Sequence, residues 1–459
     1  MASPRRTPPE LMGQITICGA GWAGLAAAVT LSQAGEEVTL IEAGSRVGGR
    51  ARTIFTPRST LDNGQHLLVG ACHQTLQLMQ QLGIPLDDLL RREPLTLHLQ
   101  PLQGSPTTIA LNQGRWLPPP LPLAWAISHA KGLTLKEKLE ILFASGKMRH
   151  QRFCLNQDVA LLALLQKWRQ STTTIHRFWQ PLCLAALNTP IEEASAELFM
   201  RVLAESFQQK IDASDSLLPL ARLDDLLPNA AIRSIEAAGG KIIFRRRLTA
   251  ITLNNSHRVT TLTTTHGQHN SQHNCHKLIL ALPWHRLPPL LRPHAALQPL
   301  AEQLAQLPAA PITTLYLSYH RADLEGIKLP FPYFASLNSQ SQWIFDGRYS
   351  GLGDTLVVVI SAYGSHSDWS RQQLQAVVEG ELQQHFPTLP RAQAVEIITV
   401  KRATFSSIVG VNRLRPDNHT PIPNLWLAGD YTATGLPATL EGAVRSGIKA
   451  ATLARHSAA

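Results

Sequence analysis

The sequence contains no run of about 18 consecutive apolar residues, so we expect no membrane-spanning helix. Between its first arginines and the first predicted strand, the sequence has no apolar h-region. The start MASPRRTPPELMG is therefore not expected to be a signal peptide. Charged residues are few, at 16%, against 44% hydrophobic residues, which indicates a globular chain and not a disordered one. A chain of 459 residues exceeds what one compact core usually holds, so we expect two domains.

Cysteine is also scarce, and its distribution excludes a disulfide framework. The cysteines lie far apart and none forms a C-x-x-C motif, which indicates reduced thiols in a cytoplasmic protein. The five positions are Cys18, Cys72, Cys154, Cys183 and Cys275.

Basic residues give the chain a formal net charge of +10, which suits nucleic acid, an anionic membrane or an anionic ligand. These residues are scattered apart from Arg245–Arg247, so the pattern argues against nucleic-acid binding.

One histidine-rich segment offers side chains that zinc could use. Its spacing fits no common zinc motif, and the polar residues around it are typical of a hairpin turn, so we predict no metal site. The segment contains His266, His269, His273, Cys275 and His276.

A glycine-rich turn follows the first predicted strand, residues 14–18. It reads Gly19-Ala20-Gly21-Trp22-Ala23-Gly24 and leads into a helix-like stretch. In such a turn Gly19 permits the tight bend, Gly21 lets the backbone approach a pyrophosphate, and Gly24 lets helix and strand pack closely. Free N–H groups at the start of the helix, around Trp22 and Ala23, can then hold the phosphates.

A second strand, Val38–Ile41, ends in Glu42, 18 residues after the third glycine. The carboxylate of Glu42 would accept hydrogen bonds from a ribose. This order of a strand, a G-x-G-x-x-G turn, a helix and a terminal acid predicts a dinucleotide site. The alternative is an ordinary glycine-rich turn.

The segment from Arg46 to Thr53 reads R-V-G-G-R-A-R-T. Gly48 and Gly49 let the backbone pass close to a second part of the cofactor, and Arg50 can neutralise a pyrophosphate as a charge-assisted donor. The alternative is a basic surface turn. This R-x-G-G-R-x-x-T pattern closely resembles the one in flavoproteins of the amine oxidase and phytoene desaturase superfamily, which implies FAD in place of NAD.

Two further segments extend the resemblance. In the resembling proteins, the segment matching LDNGQH passes near the flavin ring, so His66 is either a structural hydrogen-bonding residue or a proton donor to the substrate. In LAGDYTATGLPATLEGAVRSG the matching acid, Asp430, is expected to bind the ribityl chain of FAD. A helix beginning near Leu440 would direct its free N–H groups at the flavin and stabilise the negative charge of the reduced ring.

Taken together, GAGWAGLAAAVTL, GGRAR, LDNGQHLLVG and the C-terminal segment resemble hydroxysqualene dehydroxylases of bacterial hopanoid and squalene pathways. The resemblance implies non-covalent FAD, an isoprenoid (C30) substrate, and reduction of hydroxysqualene to squalene. A carotenoid or dehydrosqualene-type desaturase is the main alternative. Amine oxidases of the superfamily usually carry an aromatic residue just before this helix, which Ala438–Ala443 lacks, so amine recognition is disfavoured. A non-catalytic isoprenoid-binding flavoprotein is a further alternative.

The resemblance also implies an α/β plus α+β fold, in which a Rossmann-like FAD-binding domain is interleaved with a substrate-binding domain. We expect residues 12–93, 218–300 and 396–459 in the FAD-binding domain, and residues 94–217 and 301–395 in the substrate-binding domain. No second good G-x-G-x-x-G motif exists, so we expect no dedicated NADPH domain, and the sequence does not identify the electron donor.

The proline-rich segment Trp116–Trp125 is apolar but unsuited to a regular helix interior. It is either a packed loop or an apolar lip that touches a membrane or a greasy substrate. Together with the poor solubility of an isoprenoid, it suggests peripheral contact with the inner face of the cytoplasmic membrane. Further on, Thr134-Leu135-Lys136-Glu137 predicts a helix-starting capping box.

Overall fold

The structure is a computed structural model that describes residues 14–457, apart from residues 58, 104–105, 111–116, 118–120, 208–209, 328 and 330. Its β-strands are β1 (Ile15–Cys18), β2 (Val38–Ile41), β3 (Thr53–Phe55), β4 (Thr60–Asp62), β5 (Leu68–Val69), β6 (Leu90–Glu93), β7 (Thr96–Pro101), β8 (Thr107–Ala110), β9 (Ser216–Pro219), β10 (Lys241–Ile243), β11 (Arg247–Leu253), β12 (Val259–His266), β13 (His269–Asn274), β14 (Lys277–Leu280), β15 (Ala309–Ser318), β16 (Tyr333–Leu337), β17 (Trp343–Asp346), β18 (Thr355–Ser361), β19 (Ala394–Phe405) and β20 (Leu425–Leu427).

The α-helices are α1 (Trp22–Gln33), α2 (His73–Gln81), α3 (Leu86–Leu89), α4 (Leu121–Ser128), α5 (Leu135–His150), α6 (Leu161–Lys167), α7 (Thr172–Thr174), α8 (Gln180–Leu187), α9 (Ala196–Phe207), α10 (Leu223–Leu226), α11 (Pro228–Ala237), α12 (Pro288–Leu291), α13 (Gln298–Ala305), α14 (Arg321–Glu325), α15 (Arg371–His385) and α16 (Leu440–His456). A π-helical turn, Ile175–Trp179, leads into α8.

A five-stranded parallel sheet, in the order β10-β2-β1-β14-β20, carries the predicted nucleotide motif. Strands β1 and β2 are buried along their whole length, as the short apolar strands of a sheet covered on both faces are expected to be. The unit β1–α1–β2 is the predicted strand–helix–strand arrangement. Strands β10 and β14, which come much later in the sequence, join the same sheet on its two sides.

A seven-stranded sheet, in the order β19-β15-β18-β17-β16-β7-β8, forms the second large layer. Its two faces alternate along each strand. On β15, Leu315 and Leu317 belong to the apolar cluster that contains Leu374 and Val378 of α15, while Ile312 and Thr314 line a large cavity. One face of this sheet is therefore packed against a helix and the other forms the wall of a binding space.

The chain passes between the two large sheets several times. Strand β7 comes early in the sequence but pairs with the late strand β16, with β8 on its other side, and β20 returns to the parallel sheet near the C-terminus. This mixed architecture is the predicted α/β plus α+β fold. The domain boundaries given above stay a prediction.

In the sequence, helices α4 to α9 lie between β2 and β10, two strands of the parallel sheet. The predicted capping box of α5 is confirmed: Thr134 accepts a hydrogen bond from the backbone of Glu137, whose carboxylate accepts one from the backbone of Thr134. Of the proline-rich segment Trp116–Trp125, residues 116 and 118–120 lie outside the described residues. Its last part corrects the expectation of a loop, because Leu121 starts α4 and Pro122 stands in the first turn, where a missing N–H is tolerated.

The histidine-rich segment forms the hairpin of β12 and β13, in which His266 pairs with His269. His273 is buried there and its Nε2 lies 2.9 Å from the hydroxyl of Thr264. Across the part of the chain that the structure describes, no group of three or more His, Cys, Asp or Glu side chains is placed to hold a metal ion. In the same residues, no helix is both long enough and apolar enough to cross a membrane.

Helix α1 packs against α16 so closely that one contact leaves no room for a side chain. A Cβ atom added at Gly447 would lie 2.1 Å from the carbonyl oxygen of Ala23. The backbones of the two helices therefore touch, which brings the N-terminal and C-terminal ends of the chain together beside the parallel sheet.

We predict that Gly447→Ala lowers the stability of the protein by about 1–3 kcal/mol, because the added methyl group overpacks this crossing. Gly380 in α15 is the matched control, since a Cβ added there meets nothing within 4 Å. Gly380→Ala should leave stability unchanged or raise it by about 0.5–1 kcal/mol. Thermal unfolding of the two variants compares them directly, and equal midpoints would contradict the close helix contact.

Candidate active site

A cavity of about 1330 Å³ lies between the glycine-rich segments and the inner face of the seven-stranded sheet. This volume exceeds the ~300–1,000 Å³ that pockets for a single small ligand usually have. The cavity therefore has room for a large cofactor and a substrate. Of the predicted site residues, all but Gly24 line it: Gly19, Gly21, Trp22, Ala23, Glu42, Gly48, Gly49, Arg50, His66, Asp430 and Leu440.

The first glycine turn is shaped by contacts that only glycine allows. Gly19 has a φ angle of +106°, and a Cβ there would lie 2.4 Å from the carbonyl oxygen of Ala281, just after β14. Gly24 stands behind the turn, where a Cβ would lie 1.9 Å from the carbonyl oxygen of Gly19. The turn is thus pressed between helix and sheet, which sets the direction of the start of α1.

The second glycine segment lies against the first, backbone to backbone. Gly48 donates a 2.7 Å hydrogen bond to the carbonyl of Ala20, and a Cβ on Gly49 would lie 2.9 Å from the Cα of Gly21. A Cβ on Gly21 would meet only the Cα of Gly49, at 3.8 Å. Among the described residues, no side chain caps the first turn of α1, so its N–H groups are available to phosphate. The glycines leave space beside the backbone, and the free N–H groups can donate hydrogen bonds, so this region fits a pyrophosphate.

Glu42 stands at the carboxyl end of β2, where its side chain is held by two backbone donors. Its Oε2 accepts from the N–H of Ala20 at 2.8 Å, and its Oε1 accepts from the N–H of Gly44 at 2.6 Å. Each carboxylate oxygen can accept a second hydrogen bond. The geometry therefore leaves acceptors for ribose hydroxyls, and that role of Glu42 stays a prediction.

Arg50 and Asp430, which lie 380 residues apart in sequence, form an ion pair in the cavity wall. The guanidinium of Arg50 donates to Asp430 at 2.6 Å and to the carbonyl of Ala403 at 2.7 Å. The expected roles of the two residues were separate, one on the pyrophosphate and one on the ribityl chain. The structure brings both ends of the chain together through this charge-assisted bond.

Arg415 supports the site from behind the cavity wall, and no sequence motif indicated it. It is buried, with 4% of its surface exposed, and its guanidinium donates to the carbonyls of Asp430 at 3.2 Å and Thr432 at 2.5 Å. Burial lowers the pKa of Arg415 to about 10, with the nearby Asp430 opposing, so it remains charged at neutral pH. Arg415 thereby holds the loop after β20 in the shape that presents Asp430 to the cavity.

Helix α16 begins at Leu440, as predicted, with Thr439 capping the backbone N–H of Gly442 at 3.0 Å. The next residue, Glu441, is buried and was not assigned a role from the sequence. Its carboxylate accepts from the backbone N–H groups of Gln74 and Thr75 at the start of α2. Arg445 donates to the same carboxylate at 2.7 Å. Glu441 therefore fixes α2 and α16 to each other beside the cavity, and its signal in the sequence was only an acid in the first helical turn.

His66 lies half-buried in the cavity wall. Its Nδ1 is 3.0 Å from the carbonyl oxygen of Gly64, which can only accept, so Nδ1–H is the donor and Nε2 remains for other contacts. Burial lowers the pKa of His66, while the hydrogen bond to Gly64 and the charge of Asp62 act in the opposite direction. The hydrogen bond suits a structural role, and the position in the wall suits proton transfer, so both alternatives persist.

Beyond His66 the cavity is apolar. This region, which we call the apolar arm, lies between helices α4, α5, α8 and α9 and the seven-stranded sheet. Polar atoms are few in its wall, and the hydroxyl of Tyr333 is hydrogen-bonded to that of Ser216. The apolar lining includes Leu97, Ile127, Leu142, Met148, Phe178, Leu182, Phe199, Leu203, Phe207, Phe345, Val359 and Ile398.

Comparison with known proteins agrees with this geometry. The family described as flavin containing amine oxidoreductase matches residues 22–454. The chain belongs to this family. FAD is accordingly its cofactor, and the uncapped start of α1, the paired glycine segments and the acceptors of Glu42 fit that group. The enzyme is an FAD-dependent oxidoreductase.

Among curated relatives, the hydroxysqualene dehydroxylase of Rhodopseudomonas palustris is 29% identical, with 96% of this chain and 97% of that protein covered. The 15-cis-phytoene desaturase of Synechococcus elongatus is 24% identical, over 95% of this chain and 94% of that protein. The crystal structure of an oxidoreductase from Methanosarcina mazei superposes with a TM-score of 0.72 at 16% identity, covering 95% of this chain and 99% of that one. That likeness concerns the fold alone.

We predict that Asp430→Asn weakens FAD binding by about 10- to 100-fold, because the charge-assisted partner of Arg50 is lost inside the site. Asp346 provides a matched control, since it forms a 2.6 Å ion pair with Arg348 but does not line the cavity. Asp346→Asn should lower stability and leave FAD affinity unchanged. Flavin fluorescence in a titration of apoprotein measures the dissociation constants. Unchanged affinity in Asp430→Asn would remove this residue from the cofactor site.

Proposed function

We propose that the protein reduces hydroxysqualene to squalene with loss of water, using reduced FAD as the electron donor. The observation that carries this proposal is the continuity of one cavity, which joins the two glycine segments to the apolar arm. An arm of that character accepts a long hydrocarbon and offers little to a polar substrate. The name of the 29% identical relative gives independent support.

The reaction exchanges a C–OH bond for a C–H bond, and it needs two electrons and two protons for each water released. Bound FAD in its reduced form supplies the electron pair as a hydride. The chain has to orient the hydroxyl-bearing carbon at the inner end of the apolar arm, exclude bulk water, and protonate the departing hydroxyl. Loss of the hydroxyl leaves an allylic, cation-like carbon, which water would attack if it were present.

The walls of the apolar arm suit this requirement. Tyr333, Trp343 and Phe345 line the cavity together, with ring centroids 5.4 Å apart for Tyr333 and Phe345 and 6.0 Å apart for Tyr333 and Trp343. Aromatic rings exclude water and can stabilise positive charge through their π-electrons. The only nucleophilic atom among these three side chains is the phenol oxygen of Tyr333, which is hydrogen-bonded to Ser216.

His66 is the proposed proton donor. With Nδ1–H engaged by Gly64, a proton for the leaving hydroxyl would come from Nε2 of the charged imidazolium. Because burial lowers the pKa of His66, its imidazolium is a minor form at neutral pH and a better proton donor than a free imidazolium. The alternative is that His66 only positions the Gly64 turn.

A desaturase of the phytoene type is the second candidate, supported by the 24% identical relative. It would use the same cofactor site and the same apolar arm with the electrons moving in the opposite direction. Amine oxidation has less support, because no aromatic residue stands in Ala438–Ala443. A non-catalytic isoprenoid-binding flavoprotein has the least support, since FAD binding and the apolar arm converge on one space.

We place the protein in the cytoplasm, with peripheral contact to the inner face of the membrane, where a C30 hydrocarbon accumulates. The reduced state of FAD has to be restored by a donor outside the chain, because the sequence contains no second dinucleotide motif of good quality.

Anaerobic single turnover tests the direction of electron transfer. Photoreduced enzyme mixed with hydroxysqualene should re-oxidise and yield one squalene per flavin, identified by mass. Oxidised enzyme mixed with squalene or phytoene should remain oxidised. Bleaching of the oxidised enzyme by phytoene, with a desaturated product, would establish the desaturase instead.

The role of His66 predicts a pH dependence with a defined sign. Since the imidazolium is the active form and its pKa is lowered, the single-turnover rate should fall as pH rises from about 6 to 8. His66→Gln should be slower by about 10²–10⁴-fold and lose this slope. His98→Gln is the matched control, because burial lowers the pKa of His98 too, yet His98 does not line the cavity. Near-normal rates in His66→Gln would leave only the structural role.

A further inference from the structure

The outer side of helices α4 and α5 is unusually apolar for an exposed surface. On α5, Leu135, Leu139 and Phe143 are 73%, 57% and 53% exposed, and they recur every four residues, so they share one face of the helix. On α4, Leu121 and Trp125 are 47% and 36% exposed with the same spacing. We call these five side chains the outer apolar face. Side chains of this size gathered on neighbouring helices mark an interaction surface more often than a bare solvent boundary.

A hydrogen bond joins the two helices that carry the outer apolar face. Lys138 of α5 donates a 2.9 Å hydrogen bond from Nζ to the carbonyl of Ser128, the last residue of α4. On α4, the ring of Trp125 stacks on His129 with centroids 4.0 Å apart. The outer apolar face is therefore presented by a fixed helix pair.

Positive charge predominates around this face. The segment from residue 121 to 152 contains six Lys and Arg residues but only two Glu residues. Both carboxylates are engaged within the protein: Glu137 caps α5 and pairs with Arg177, and Glu140 accepts from Ser171 and Thr174. The exposed cations include Lys131, Lys136, Lys147, Arg149 and Arg152. A cationic rim around exposed Leu, Phe and Trp side chains is complementary to an anionic lipid surface.

The same helices form the wall of the substrate cavity. Leu123 and Ile127 of α4 and Leu142 of α5 line the apolar arm. Gly146 and Arg149, further along α5, line the cavity and are also exposed, so the cavity reaches the surface beside Phe143. The outer apolar face and an opening of the apolar arm thus lie on adjacent sides of one helix.

We infer that α4 and α5 dock on an anionic bilayer through the outer apolar face, and that an isoprenoid substrate enters the cavity from the membrane beside Phe143. The entry route rests on the function proposed above, whereas the docking surface does not. Apolar side chains enter the headgroup region, and the lysines around them contact lipid phosphates. A C30 isoprenoid transferred in this way never crosses bulk water, where its solubility is negligible.

Flotation of the purified holoenzyme with vesicles tests the docking surface without any substrate. Wild type should float with vesicles of phosphatidylcholine and phosphatidylglycerol, and less with phosphatidylcholine alone. The double variant Leu139→Ser/Phe143→Ser should bind at least tenfold more weakly, while Tyr363→Ser, at an equally exposed aromatic residue of 60%, should bind as wild type does. Lys131→Glu/Lys147→Glu should lose the preference for anionic vesicles. An unaltered flavin spectrum and melting temperature show that each variant is folded.

Two results would overturn the docking surface. One is a wild-type protein that remains in the aqueous fraction. If the double variant then changes only the mass of an oligomer, the face is a contact between copies of the chain and not a lipid surface. The other is equal flotation of wild type and the double variant.

Single turnover separates the docking surface from the proposed function. With hydroxysqualene in detergent micelles the double variant should keep the wild-type rate, since neither side chain lines the cavity. With hydroxysqualene in anionic vesicles it should be slower by at least tenfold, and equal rates there would exclude entry beside Phe143. Failure of the wild type in micelles would count against the function and leave the flotation result standing.

Discussion

The rest of this structure depends on one constraint: backbone segments from different parts of the chain pack directly against the start of helix α1. Gly24 brings the helix onto the first glycine turn, Gly49 brings the second glycine segment onto Gly21, and Gly447 brings α16 onto Ala23. Each contact is one that a Cβ atom would prevent. Three separate parts of the chain therefore meet at one helix end, which carries no side-chain cap among the residues that the structure describes, and this convergence suits a phosphate.

Charge then divides the cavity into two parts with different chemistry. At the glycine end, Glu42, Arg50 and Asp430 are held by backbone donors, by each other and by the buried Arg415. In the apolar arm, the walls carry few polar atoms and the helices α4 and α5 separate the cavity from the outer apolar face. Bound FAD would have its charged groups held by the residues of the glycine end, and its redox chemistry would serve a substrate in the apolar arm. Helices with cavity on one side and exposed apolar side chains on the other connect the site to the surface.

Local motifs predicted much of this arrangement. The strand–turn–helix unit, the capping box of Thr134, the start of α16 at Leu440 and the flavin family all agree with the structure and the comparisons. These features depend on residues close in sequence, where periodicity, glycine spacing and capping operate directly. The start of α4 was interpreted less well, because Pro122 reads as a helix breaker unless the first turn of the helix is known to begin there.

The amino-acid sequence by itself determined the glycine positions, the acids at the strand ends and the absence of an aromatic residue before α16, since each is a property of a single residue and its near neighbours. Only the tertiary structure decided that Arg50 pairs with Asp430, that Arg415 and Glu441 are buried supports, and that Leu139 and Phe143 stay exposed beside the cavity. Those outcomes depend on which surfaces meet when residues hundreds of positions apart are folded together. An apolar side chain in a helix reads the same in sequence whether its neighbour in space is a core, a substrate or a membrane.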